Sequence, residues 1–239
     1  MIPCARLACF APSVLRPLAS SPCFPAAAQA HHLLRPAAPR ASTSRRSAAR
    51  MSSKASNDQP LLFIYGSLLV TEVMSALIER VPICQPGEVQ GYNRYQLTER
   101  PYPGLFKGGP AEVTNEAIQG LLVCGLSADE MAILDYFEGD EYVTGMVQVK
   151  VCRTAHSVSE QGYLPQTVDA VKESEVEAVA YLFNEKLQHR LFGKWRPEDF
   201  LRMDIVPSYA ANAKSYGEEA RKLLKEGAFK PRGLGESLI

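Results

Sequence analysis

Histidine is scarce in this chain. Four occur in 239 residues, two of them adjacent at positions 31 and 32 and the others isolated at His156 and His189. A Ser-His-Asp triad or a histidine metal centre has almost nothing to be built from. Paired cysteines are missing too. Cys4, Cys9 and Cys23 fall near the N-terminus, while Cys84, Cys124 and Cys152 are widely spaced and mostly set in apolar runs. With no C-x-x-C motif and no Cys/His cluster, a zinc site and a disulfide framework are both excluded, and no metal is expected. No apolar run reaches the ~18 residues that a membrane span needs. Acid is absent from one whole region: residues 1–50 carry seven arginines but no lysine, aspartate or glutamate. From residue 51 onward, 19 basic residues face 26 acidic ones, a net charge of −7. An acidic body with scattered basic residues gives no footing for nucleic acid.

What residues 1–50 do contain is arginine, serine, proline and alanine, the composition of an organellar transit peptide for a chloroplast or mitochondrion. A solvated, disordered basic tail is the plainer alternative. A secretory signal is disfavoured because Arg6, Arg16 and several prolines interrupt the apolar start. Translation starting at Met51 would give a cytoplasmic form without this presequence. Residues 51–60 read as a polar linker, 61–195 as one domain, and 196–239 as a helical extension with a tail.

Within the domain, Phe63–Tyr65 is predicted as a buried strand and Thr71–Arg80 as a short amphipathic helix with Val73, Leu77 and Ile78 on one face. Glu88–Leu97 is expected to form one or two strands about Gly91. Pro101-Tyr102-Pro103-Gly104-Leu105, punctuated by two prolines and a glycine, is expected to be irregular. Ala117–Leu126 reads as a central strand. Ser127 and Glu130 have the spacing of a capping box, opening a helix that turns Met131, Ile133, Leu134 and Phe137 inward and stops at Gly139. Tyr142–Cys152 and Val176–Phe183 are further strands, with an exposed loop over 154–172 between them. Beyond Pro197, Tyr209, Ala213, Tyr216, Ala220 and Leu223 recur at helical spacing, and the tail from Gly227 is expected to be loose. Many short strands with few interspersed helices make an α+β fold with a strongly curved or barrel-like sheet.

Two segments carry possible chemistry. The first is Tyr65-Gly66-Ser67-Leu68-Leu69-Val70, where a strand stops at a Gly-Ser turn before a helix and presents backbone N–H groups to an anion. The second is the acidic stretch Asp135, Glu138, Asp140 and Glu141. Asp135, Asp140 and Glu141 read as a solvated helix end. Glu138 sits in the last helical turn, where the macrodipole disfavours an anion. Neighbouring carboxylates and burial beside Phe137 push the same way, toward the pKa range of a general acid and base. Tyr102 and Tyr142 are candidates to line the same pocket, or core tyrosines with satisfied hydroxyls. Arg100 reads as a surface arginine or a partner for a substrate carboxylate, and Trp195 as an anchor for the C-terminal helices. Ser67 as a covalent nucleophile is disfavoured, since no histidine or lysine lies near it in sequence.

Tyr65-Gly66-Ser67-Leu68, Tyr102-Pro103-Gly104-Leu105 and Leu134-Asp135-x-Phe137-Glu138-Gly139-x-x-Tyr142 occur in that order. Over about residues 61–185 the chain resembles the γ-glutamylcyclotransferase-like superfamily, most closely its plant avirulence-induced (AIG-type) branch. The resemblance implies a small α+β fold around a β-barrel and a cavity floored by the Tyr65–Val70 turn. It also implies Glu138 as acid and base, a small γ-glutamyl substrate, and no cofactor. The implied reaction is an intramolecular aminoacyl transfer: the α-amine of a γ-glutamyl group attacks its own γ-carbonyl, releasing 5-oxoproline and a free amine. Leu68-Leu69 stands where better-known branches carry Asn-Leu after the serine, which leaves the substrate open. A second reading from the same branch is a non-catalytic module that binds a γ-glutamyl-like metabolite or a protein partner in stress responses.

Overall fold

The computed structural model describes residues 60–108, 116–155 and 162–232. The expected presequence, the linker up to residue 59, His156 and the last seven residues lie outside them. The Leu62-Phe63-Ile64 run forms β1 (Leu62–Ile64), wholly buried. It pairs antiparallel with β5 (Ile118–Cys124) and parallel with β7 (Glu175–Phe183). A strand with a neighbour on each edge and both faces covered needs an unbroken apolar run. With β2 (Ile83–Val89) and β6 (Tyr142–Val151), these strands close a barrel in the order β1-β5-β2-β6-β7. A second, antiparallel sheet has the order β4-β3-β8, from β3 (Asn93–Leu97), β4 (Pro103–Phe106) and β8 (Leu191–Lys194).

Period-two alternation sorts the barrel residues into two cores. Phe63, Leu122, Val147, Val149, Ala178 and Ala180 point inward and fill the barrel. Leu62, Ile64, Leu121, Val123, Val179, Tyr181 and Phe183 point outward, against the helices. The helices are α1 (Thr71–Ile78), α2 (Ala128–Glu138), α3 (Pro197–Leu201) and α4 (Val206–Lys225). The predicted capping box is present at α2: Glu130 N–H donates to Ser127 Oγ at 3.1 Å and Ser127 N–H to Glu130 Oε2 at 2.7 Å. Gly139 ends the helix at φ 60°, a conformation that favours glycine. On β6, Tyr142 and Thr144 share the outward parity with Met146, Gln148 and Lys150. The 142–144 end is buried while the far end is exposed, so only one end of this face has a cover.

Four expectations need correction. Pro103-Gly104-Leu105 is not irregular but is most of β4; the strand lies at the edge of its sheet and starts on Pro103, where a missing N–H does little harm. The loop over 154–172 is not fully exposed: Tyr163, Leu164 and Val171 are buried, and residues 163 and 166 form bridges to Val70 and Cys84. Asp135 is buried rather than solvated, because Tyr181 and Arg232 supply its hydrogen bonds. The tail is not loose as far as residue 232: Phe229 packs edge-to-face on Tyr136 and Arg232 grips the end of α2. Trp195 does anchor the following helices, with its ring 5.8 Å from Phe200 of α3.

Candidate active site

The chain leaves β1 through Tyr65, whose buried hydroxyl donates to the Tyr181 carbonyl and accepts from Leu105 N–H at 3.3 Å. Ser67–Leu69 form a single 3-10 turn, closed by Leu69 N–H to Gly66 O at 3.0 Å and Val70 N–H to Ser67 O at 3.1 Å. The N–H groups of Gly66, Ser67 and Leu68 donate to nothing among the described residues. Three consecutive undonated N–H groups at the start of a helical turn are the kind of donor an anion site uses. The side chains of Leu68, Leu69 and Val70 are buried in the core, so this segment has only backbone to offer a ligand. Gly66 is required by close approach, since a Cβ there would lie 2.9 Å from Pro103 Cγ. Ser67 Oγ lies 3.1 Å from the hydroxyl of Tyr209 on α4.

Glu138 is the last residue of α2. Its carboxyl makes no hydrogen bond or ion pair among the described residues. The residue is only partly buried, so it keeps some accessible surface. Burial pushes its pKa up to about 8; the Arg232 charge opposes this, and the Asp135 and Glu141 carboxylates add to it. The Glu138 charge in turn acts on Tyr65, Tyr142, Tyr181 and Tyr209, adding to the burial that is the main reason all four phenols stay neutral. Two segments some seventy residues apart in sequence thus share one electrostatic neighbourhood.

Tyr142 donates to the Pro103 carbonyl at 2.7 Å, and its ring lies 6.4 Å from that of Tyr102. Tyr102 donates to Glu141 Oε2 at 2.6 Å. Glu141 also binds Arg190 and lies 3.5 Å from Arg100 Nε. Neither Glu141 nor Arg100 is therefore the free surface group that sequence suggested. Both belong to a half-buried charge network beside the site.

Sequence reasoning missed the roles of five contributors. Asp135 accepts from Tyr181 Oη at 2.7 Å and from Arg232 N–H at 2.9 Å; burial raises its pKa, and both hydrogen bonds oppose the rise. Tyr181 lies in an apolar strand and Tyr209 in an apolar helix stripe, where nothing in the pattern separates a site tyrosine from a core one. Arg232 follows Pro231 in a segment with no periodicity at all. Arg94, on β3, also supports the turn: Nη1 donates to the Tyr65 carbonyl at 2.9 Å and the guanidinium sits 5.4 Å above Trp195. Its burial lowers its pKa to about 10. No group of three or more His, Cys, Asp or Glu among the described residues is placed to hold a metal, and no described helix is long and apolar enough to cross a membrane.

The family described as "Gamma-glutamyl cyclotransferase, AIG2-like" matches residues 62–197, more than half of the chain. The chain belongs to this family. Among curated Arabidopsis thaliana members, AIG2-like protein C is 28% identical over 154 residues, covering 64% of this chain and 74% of the relative. Protein AIG2 C is 27% identical over 164 residues, covering 69% and 81%. An Arabidopsis thaliana protein of known solution structure aligns at 23% identity over 73% of this chain and 88% of its own, with a TM-score of 0.43. The family match includes the Tyr65 turn and Glu138 but stops before Tyr209 and Arg232, so Arg232, which acts on Glu138, and Tyr209, on which Glu138 acts, come from beyond the matched segment.

Proposed function

We propose that the protein is a γ-glutamylcyclotransferase-type acyltransferase that releases 5-oxoproline from a γ-glutamyl amine or peptide, with Glu138 as general base and then general acid. The observation that carries this reading is the Glu138 carboxyl itself: unbonded among the described residues, still accessible, and raised to about 8. An α-ammonium has a reference pKa of ~8, so proton transfer to such a carboxylate is nearly balanced in energy. The neutral amine then attacks the γ-carbonyl, the new C–N bond closes the five-membered lactam, and the old amide C–N bond breaks. Glu138 returns the proton to the leaving nitrogen, and the regenerated carboxylate takes the second proton from the former ammonium nitrogen, now in the lactam, and passes it to the released amine, which departs as an ammonium. The undonated N–H groups of Gly66, Ser67 and Leu68 suit the substrate α-carboxylate or the oxyanion formed during attack. Neutral Tyr65, Tyr142, Tyr181 and Tyr209 keep competing charge away from Glu138. Holding the γ-glutamyl chain folded would supply much of the rate, because the reacting groups are already in one molecule.

The test is 5-oxoproline detected by mass spectrometry across γ-glutamyl amines, γ-glutamyl peptides and glutathione. Product should form from at least one of them, and Glu138→Gln should lower kcat/KM by about a hundredfold or more. No product from the whole panel, or a fully active Glu138→Gln, rejects the reading. Ligand-induced thermal stabilisation without turnover would favour the binding-module alternative.

A further inference from the structure

The Arg232 side chain reaches back to the α2–β6 corner. Nη2 donates to Asp135 O at 2.7 Å and to Gly139 O at 2.5 Å, and Nη1 donates to Tyr142 O at 2.6 Å. Its backbone N–H bonds Asp135 Oδ2 at 2.9 Å. The three carbonyls bracket residues 135–142, with Glu138 between them. Helix C-terminal carbonyls need donors, and a guanidinium offers several in one rigid plane. The segment leading there is tied down as well: Ala228 N–H bonds Leu223 O at 2.9 Å, and Phe229 meets Tyr136 edge-to-face at 5.4 Å. Arg232 Nε is buried without a partner, so the group is not a surface charge that happens to fall nearby.

We propose that Arg232 is a positioning residue for Glu138, clasping the α2–β6 corner from the C-terminal segment so that the Glu138 carboxyl stays among Tyr65, Tyr142, Tyr181 and Tyr209. The proposal rests on the catalytic reading of Glu138 for its purpose, though not for its test. The charged groups acting on Glu138 are Asp135 on α2, Glu141 in the corner and Arg232, and the Glu138 charge in turn acts on Tyr65 after β1, Tyr142 on β6, Tyr181 on β7 and Tyr209 on α4. Arg232 is the cation among them and the one that eases ionisation. A purely structural clasp would support folding without setting that titration.

The experiment is a carbon-13 NMR titration of the Glu138 carboxyl in the full chain, its resonance assigned by its loss in Glu138→Gln. Arg232→Gln should move the midpoint up by about half a pH unit or more. Arg232→Lys keeps the charge but not the fork. It should leave the midpoint near wild type while lowering kcat about fivefold at unchanged KM. An unmoved midpoint in Arg232→Gln overturns the proposal. If that variant does not fold, Arg232→Lys decides: a lowered kcat at unchanged KM and melting temperature supports the proposal, and wild-type kcat overturns it. A wild-type chain that yields no 5-oxoproline rejects the catalytic reading alone, since the titration needs no turnover.

Discussion

Burial first, and then the Asp135 and Glu141 carboxylates, hold the Glu138 carboxyl in its neutral form against the opposing Arg232 charge. That has a cost which can be measured. In the unfolded chain Glu138 ionises near pH ~4.3, and in the folded chain near about 8. Between those values the native state binds the extra proton, so stability from this group is full below about pH 4 and declines as pH rises through 8. Glu138→Gln cannot ionise. It should therefore unfold at higher temperature than wild type at pH 8, by an amount on the order of 3 kcal/mol once the water still reaching the group is allowed for, with the gap closing toward pH 4.3. Calorimetry across pH reads this directly; a gap that is constant with pH would mean that Glu138 is not raised. The direction of the shift agrees with the sequence expectation, which named the helix end, neighbouring carboxylates and burial; burial is the largest cause. Arg232, which limits the rise, was not part of that expectation.

The elements show why some patterns can be read in advance and others cannot. The capping box at Ser127 and Glu130 is a local motif and appears as the sequence predicts. The 103–106 segment looks irregular for an equally local reason, its prolines and glycine, yet becomes β4 because β3 is present to pair with it. The packing of α4 on α1 depends on Gly217, where a Cβ would lie 2.9 Å from Leu77 O and 3.2 Å from Leu77 Cα. These are backbone atoms and cannot rotate aside. Gly217→Ala gains about 1 kcal/mol of helix propensity but forces two helices apart, which overpacking data put at about 1–3 kcal/mol. The net expectation is a loss of about 1 kcal/mol in chemical denaturation, where propensity alone would predict a gain. Arg221 on α4 caps the same Leu77 carbonyl at 2.6 Å, so displacement of α4 also uncovers the end of α1.

Across the whole molecule, the family match ends at residue 197 and the folded core does not. Val206, Ala213 and Ala220 of α4 are buried in one cluster with Val73, Leu77, Ile133 and Leu134. Tyr209 links that helix to Ser67, and Phe137 lies edge-on to it at 6.1 Å. A chain ending at residue 197 should lose its cooperative thermal transition and bind a hydrophobic dye, as expected when packing is lost while the barrel strands persist. A sharp transition with normal near-ultraviolet dichroism would instead make α4 an appendage.

The sequence by itself determined β1, β5, β6 and β7, the helices α1 and α2 and the position of Glu138, because each follows from spacing along a few residues: an apolar run, a capping box, a helix-stopping glycine. The strand β2 (Ile83–Val89), interrupted by Pro86 and Gly87, was fixed only by its barrel neighbours. Tyr65 and Tyr142 were already site candidates in the sequence, but only the tertiary structure coupled Tyr181, Tyr209 and Arg232 to Glu138. Tyr65, Tyr142, Tyr181, Tyr209 and Arg232 come from five separate segments, and burial makes an aromatic site residue look like any other core residue. An arginine donating to carbonyl groups leaves no trace at all, since every residue except the arginine contributes only its backbone.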